Sequence, residues 1–284
     1  MSTSTALKVL SNHTLRWSSP TEFNDPFDVP RELAYDISPS EIKAAICRLL
    51  IKYIGNNTLD ISNLTPKAQS TLNLIRSSDK ETIEIIKSTL ADEATSIFDL
   101  SSGLEELRAI WRGFIPEFRI LCLTEVNDAA SMWYHYADKY QGIVIGIACS
   151  DEFDSPWLVA RPVDYPLEPP NLFTAEGWAE MIMTPQDKAL EKILDAYTYT
   201  KTPDWGYEKE WRITSFKRTN EKGVTSDYKL NPKHFVNIFF GPLIDQTIRQ
   251  RILSFVLGEM PYIQLYDVGF GLNRKFTFKQ IKEG

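Results

Sequence analysis

The stretch FRILCLTEVNDAASMWYHYADKYQGIVIGIA, residues 118–148, sets two apolar runs on either side of a segment with helical spacing. Phe118 to Thr124 and Gly142 to Ala148 read as strands, short and apolar, with polar or glycine positions at their ends. Between them, from about Ala129 to Tyr140, Met132, Tyr136 and Tyr140 recur every fourth position and share one helical face, which is expected to be core. Gln141-Gly142 is expected to close that helix, with the glycine in the left-handed conformation.

The flanking sequence decides the class. Upstream, Ala6 to Leu10 reads as a short helix, Thr14 to Ser18 as a strand, and Ser19 to Pro30 as turns. Ser38-Pro39-Ser40-Glu41 is a capping box, and Thr65-Pro66 and Ser78-Asp79-Lys80-Glu81 start two further helices. Downstream, strands are expected at Trp157 to Val163, Tyr207 to Phe216, His234 to Phe240, Ile263 to Val268 and Lys275 to Phe278. Helices are expected at Glu176 to Tyr197 and Asp245 to Leu257. This order lacks regular β-α-β alternation and predicts an α+β fold with a mixed, mainly antiparallel sheet. The expected organisation is a single domain over 1–284 with a helical insertion at about 38–112. There is no glycine-rich phosphate loop.

The net charge of −7 argues against a broad, sequence-independent grip on nucleic acid, which depends on Lys and Arg displacing counterions. Lys209, Lys217, Arg218 and Lys222, and later Arg274, Lys275 and Lys279, are the basic concentrations near aromatics and could guide a nucleic-acid substrate locally. Cys47, Cys122 and Cys149 lie far apart, as do His13, His135 and His234, so a structural zinc site is not expected. The cysteines read as buried thiols in a reducing cytoplasm. No apolar run approaches the roughly 20 residues needed to span a bilayer, and MSTSTALKVLSNH lacks the pattern of a secretory signal. No membrane association is expected.

Three segments carry chemistry. In Tyr207-Glu208-Lys209-Glu210-Trp211-Arg212-Ile213, a two-residue period puts Glu208, Glu210 and Arg212 on one face of a strand. Beside a cleft, a carboxylate there could stabilise the positive charge that develops on a sugar during glycosidic cleavage, while Arg212 holds a phosphate or orients the acid. On a solvated face they would form only a weak ion pair. In Phe23-Asn24-Asp25-Pro26-Phe27-Asp28, Asn24 could serve a nucleotide's ribose or amide, and Asp25 and Asp28 could bind a cation. The competing reading is an Asx turn holding two buried Phe rings. His135 has the pKa range for proton transfer, although a lone helical histidine is more often structural.

The segments WSSPTEFNDPFD (17–28), MWYHYADKYQG (132–142) and WGYEKEWR (205–212), in this order, resemble the bacterial family catalogued as domain of unknown function 2971. Members usually begin with a strand of the Tyr-Lys-Tyr kind, expected before Ala6 and absent here. The family's order of elements resembles ADP-ribosyltransferase-like folds. That resemblance implies an enzyme of a bacterial toxin or phage-defence setting that cleaves the nicotinamide–ribose bond of NAD, its co-substrate. Glu210 or Glu208 would be catalytic, Arg212 would hold phosphate or ribose, and Asn24 and Asp25 would form the loop lip. Trp133, Tyr136 or Trp211 would supply stacking surface or pocket walls, and a protein or nucleic acid would be the acceptor. One alternative is a metal-dependent hydrolase or nuclease holding a cation between Asp25, Asp28, Glu208 and Glu210 with His135 assisting. The other is a non-catalytic sensor or partner-binding module that uses its aromatic surface.

Overall fold

A computed structural model describes residues 1–33, 37–92, 101–149 and 156–281. The chain begins with α1 (Thr3–Asn12) and β1 (Thr14–Ser18), followed by α2 (Pro39–Gly55), α3 (Pro66–Arg76), α4 (Lys80–Ala91) and α5 (Ser101–Phe114). Next come β2 (Phe118–Thr124), α6 (Ala130–Tyr136), β3 (Ile143–Ile147), β4 (Arg161–Pro162), α7 (Ala175–Ile182) and α8 (Gln186–Thr198). The last elements are β5 (Glu210–Phe216), β6 (Thr225–Lys229), β7 (Phe235–Phe240), α9 (Gln246–Glu259), β8 (Gln264–Phe270) and β9 (Phe276–Gln280). The class is α+β, as the sequence predicts, with two sheets where one was expected.

The backbone divides into two compact units, one of residues 1–19, 118–163 and 204–284, the other of 20–117 and 164–203. The first unit holds both sheets. One has the order β4-β5-β2-β1-β6 and is antiparallel throughout; the other, β3-β7-β8-β9, contains one parallel pair, β7 with β8. Ser18 lies opposite Ile120, and Ile120 opposite Thr214. The strand period therefore puts Glu210 and Arg212 on that face of the five-stranded sheet and Trp17, Leu121, Ile213 and Ser215 on the other. Leu15, Trp17, Leu121 and Ile213 join Ile143, Ile238, Phe240 and Leu265 of the second sheet, Ala6 and Leu10 of α1, and Ile252 and Val256 of α9 in one buried cluster.

The second unit is helical. Its α2 begins with the predicted capping box: the Glu41 amide donates to Ser38 Oγ at 3.2 Å, and the Ser38 amide to Glu41 Oε2 at 2.7 Å. Thr65 and Asp79 cap α3 and α4 as predicted. Cys47, Ile54, Leu64, Leu72, Leu90 and Met183 form an apolar cluster here. Replacing Ser38 with Ala removes one partner of a helix-terminal amide and is expected to cost about 1 kcal/mol, read as a small fall in the thermal midpoint.

Several elements differ from expectation, each for a local reason. The Glu176 to Tyr197 helix is two, α7 and α8, because Pro185 lacks the amide a continuous helix needs. Trp157 to Val163 is mostly a 3-10 turn, Pro156–Val159, followed by the two-residue β4, and Pro162 cannot donate to a ladder. The strand expected from Tyr207 starts only at Glu210, after a 3-10 turn over Pro203–Glu208 and a left-handed Lys209 at φ 42°. Helix α6 ends at Tyr136, and the left-handed turn after it is made by Asp138, Lys139 and Tyr140 instead of Gly142. Gly142 is needed for space, since a Cβ there would stand 2.8 Å from the Ala137 carbonyl oxygen. The face expected to be core is not: Trp133 is the buried ring of α6, whereas Tyr136 is 41% exposed. Cys122 and Cys149 are exposed and only Cys47 is buried. Among the described residues no helix is long and apolar enough to cross a membrane.

Candidate functional site

The start of β5 is pinned by the end of β2. Thr124 Oγ1 donates to the Glu208 carbonyl at 2.6 Å, and the Glu125 amide to the Lys209 carbonyl at 3.3 Å. Two residues apart on one strand face, Glu210 and Arg212 close into a two-pronged pair, with Nε to Oε1 at 2.8 Å and Nη2 to Oε2 at 2.9 Å. Their side chains are 6% and 0% exposed, so this is a buried pair and not the weak ion pair of a solvated strand. Glu208 is also buried and its Oε1 accepts from the Tyr136 hydroxyl at 2.7 Å. Burial, then the hydrogen bond to Glu208 and the charges of Glu208 and Glu210, raise the Tyr136 pKa, which holds the phenol protonated as a donor.

Glu208, Glu210, Arg212 and Tyr136 are thus brought together in the sheet-bearing unit, with Tyr136 as the exposed member. Trp133 is buried and donates its Nε1 to the Asn127 carbonyl at 2.7 Å. Trp211 lies on the opposite strand face and donates to Glu125 Oε2 at 3.2 Å. His135 is exposed, its ring edge-on to Tyr134 with centroids 5.4 Å apart.

Asn24, Asp25 and Asp28 belong to the helical unit. Asp25 forms the Asx turn, accepting from the Phe27 amide at 2.9 Å, but the turn does not bury both rings, because Phe27 is 82% exposed. Asn24 is exposed. The cation beside Asp28 is a lysine: Lys201 Nζ stands 3.5 Å from its carboxylate, and both side chains are about 5% exposed. Val29 beside it is buried with φ 44°, a left-handed conformation uncommon for a β-branched residue. Among the described residues no group of three or more His, Cys, Asp or Glu is placed to hold a metal ion.

The sequence reading missed a cavity of about 260 Å³ in the sheet-bearing unit, on the sheet face opposite Glu210. Trp17, Trp157, Tyr228 and Arg218 line it, and Phe216 and Lys229, whose side chains the strand period turns to the other face, border it. The Trp17 and Tyr228 rings are tilted with centroids 5.5 Å apart, and the Arg218 guanidinium lies 4.6 Å above the Tyr228 ring. Glu221 Oε2 fixes the loop that carries Arg218, accepting from Ser226 Oγ at 2.6 Å, the Tyr228 hydroxyl at 3.0 Å and the Arg218 amide at 3.1 Å. These bonds, that from Ser226 first, hold the Glu221 carboxyl below its ordinary pKa. Beneath the loop, fully buried Arg119 donates to Ser226 Oγ at 2.9 Å and to the Gly223 carbonyl at 2.8 Å. The basic residues Lys217, Arg218 and Lys222 were the one signal of this site in the sequence; Trp17 and Trp157 reach it only through the fold.

The class so defined is an α+β protein whose sheet-bearing unit carries a buried carboxylate–guanidinium cluster on one sheet face and an aromatic, cationic cavity on the other. Residues 132–213 match the family described as Protein of unknown function (DUF2971), the one to which the segments at 132–142 and 205–212 pointed. The match takes in Tyr136, Glu208, Glu210 and Arg212 and stops before Arg218. No curated protein and no solved structure matches the chain.

Proposed function

We propose that this protein binds a nucleotide-like ligand, its planar base among Trp17, Trp157 and Tyr228 and its phosphate at Arg218. The observation that carries the reading is the meeting of Trp17, Trp157 and Tyr228 with the Arg218 guanidinium around one cavity. Rings bind a flat base by stacking, and charged donors bind phosphate oxygens more strongly than neutral ones. At about 260 Å³ the cavity is just below the ~300–1,000 Å³ of typical small-molecule sites, which suits one base with its sugar rather than a whole dinucleotide. Titration of AMP, ADP and NAD, followed by calorimetry and tryptophan fluorescence, tests this. Wild-type protein is expected to bind, and Arg218→Ala to bind about 10-fold more weakly. Absence of binding at millimolar ligand, or equal binding by the Arg218→Ala variant, would end the proposal.

Cleavage of NAD by Glu208 or Glu210 is a second reading, favoured by the meeting of two carboxylates, a guanidinium and the Tyr136 hydroxyl at the start of β5. A ligand in the cavity lies across the sheet from Glu210, so the two readings concern separate sites.

A further inference from the structure

Residues 217–224 join β5 to β6 without helix or strand, and they carry Arg218, the cation of the cavity. A polar loop of this kind ordinarily leaves a long side chain free among many rotamers, and a ligand that needs the side chain must then order it. Here the loop is closed on itself. The Arg218 amide donates to Glu221 Oε2 at 3.1 Å and the Glu221 amide to the Arg218 carbonyl at 3.0 Å, while the Ser19 amide holds the far end by donating to the Val224 carbonyl at 2.7 Å.

The half-buried Glu221 is where the parts of the cavity meet. The same oxygen accepts from the Tyr228 hydroxyl at 3.0 Å, so one atom fixes both an aromatic wall and the backbone that bears the guanidinium. It grips Arg218 by the main chain, and the guanidinium lies over the Tyr228 ring. Ser226 Oγ, its third donor at 2.6 Å, itself accepts from Nε of the fully buried Arg119 at 2.9 Å. A chain of hydrogen bonds thus runs from the sheet interior through Ser226 to Glu221, and such a chain stiffens what it joins when each member is satisfied.

We infer that Glu221, backed by Ser226 and Arg119, is a positioning residue that sets Arg218 and Tyr228 in place before any ligand arrives. Its consequence for affinity rests on the reading of the cavity as a nucleotide site; its hold on the loop does not. With the carboxylate gone, Arg218 and Tyr228 must be ordered at the moment of binding, and the loop opens to proteases. Glu221 acts through these two side chains and need not touch the ligand.

Lys217, Arg218 and Lys222 put trypsin sites in the loop, which gives a test that needs no ligand. Cleavage there in the folded protein, taken relative to the unfolded chain, is expected to be about tenfold faster in Glu221→Ala than in wild type. Glu221→Gln keeps an acceptor oxygen and should fall between them, and melting near the wild-type midpoint is the control that the sheet is intact. Followed by calorimetry, AMP should bind about tenfold more weakly to Glu221→Ala. Made in Arg218→Ala, the same substitution should cost less than about threefold more, because little is left for Glu221 to position. Equal cleavage of wild type and Glu221→Ala overturns the inference with or without a ligand, as do equal AMP affinities or losses that multiply in the double variant. Faster cleavage of Glu221→Ala with no nucleotide bound by wild type upholds the positioning role and ends the nucleotide reading.

Discussion

Arg212→Met is expected to destabilise the sheet-bearing unit by about 3–5 kcal/mol, because it leaves the Glu210 carboxylate buried without its main cation. The thermal midpoint should fall by roughly 10 °C, the larger end of what one core position does in a chain of this length. The double variant Arg212→Met/Glu210→Leu removes both charges and should recover most of the loss, since a buried pair is worth little more than well-packed apolar residues of similar volume. If the single variant melts like wild type, the pair is not structural. Activity separates the other role: were Glu210 the carboxylate of a glycosidic cleavage, Glu210→Gln would abolish NAD turnover whatever its effect on melting.

Gly177→Ala should damage the helical unit by a different route. A Cβ at this first-turn position of α7 would stand 2.0 Å from the Asn171 carbonyl oxygen and 2.7 Å from the Leu172 Cα, both backbone atoms. Backbone cannot swing aside as a side-chain tip can, so α7 must shift, and with it fully buried Trp178 and Ala179. A cost of about 3 kcal/mol is expected, seen as early loss of helical ellipticity on heating. Wild-type-like melting would show that the turn before α7 gives way cheaply. Gly258, with nothing within 4 Å of an added Cβ, is the matched control.

How far the sequence could be read depended on the range of each signal. Ser38 with Glu41, Thr65 and Asp79 marked helix starts correctly because a cap is settled within four residues. Phe118 to Thr124 was legible because its apolar residues run on from Ile120 to Leu123. The reading of Tyr207 to Phe216 failed at its first three residues, since alternation of side chains does not reveal that Lys209 turns left-handed. It nevertheless placed Glu210 and Arg212 together, because the period holds from Glu210 onward. What no local pattern could give was depth. Whether that pair was solvated or enclosed, and whether Asp28 met a metal or Lys201, depends on residues distant in the chain. The cavity was harder still, built from β1, the turn after β3, β5 and β6, none of which marks it alone.

The way the sequence is distributed between the units also bears on synthesis. The helical unit is complete once residue 203 has been made, whereas the sheet-bearing unit needs residues 204–284. Until β5 and β6 emerge, β2 lacks its long antiparallel partner and β1 has only the brief pairing at Ser18 with Ile120. A nascent chain therefore carries two strands with open edges from about residue 124 until β5 and β6 are made, the interval in which edge strands recruit other chains. Chaperone engagement and truncated translation products should accordingly concentrate on this protein before its last third is synthesised.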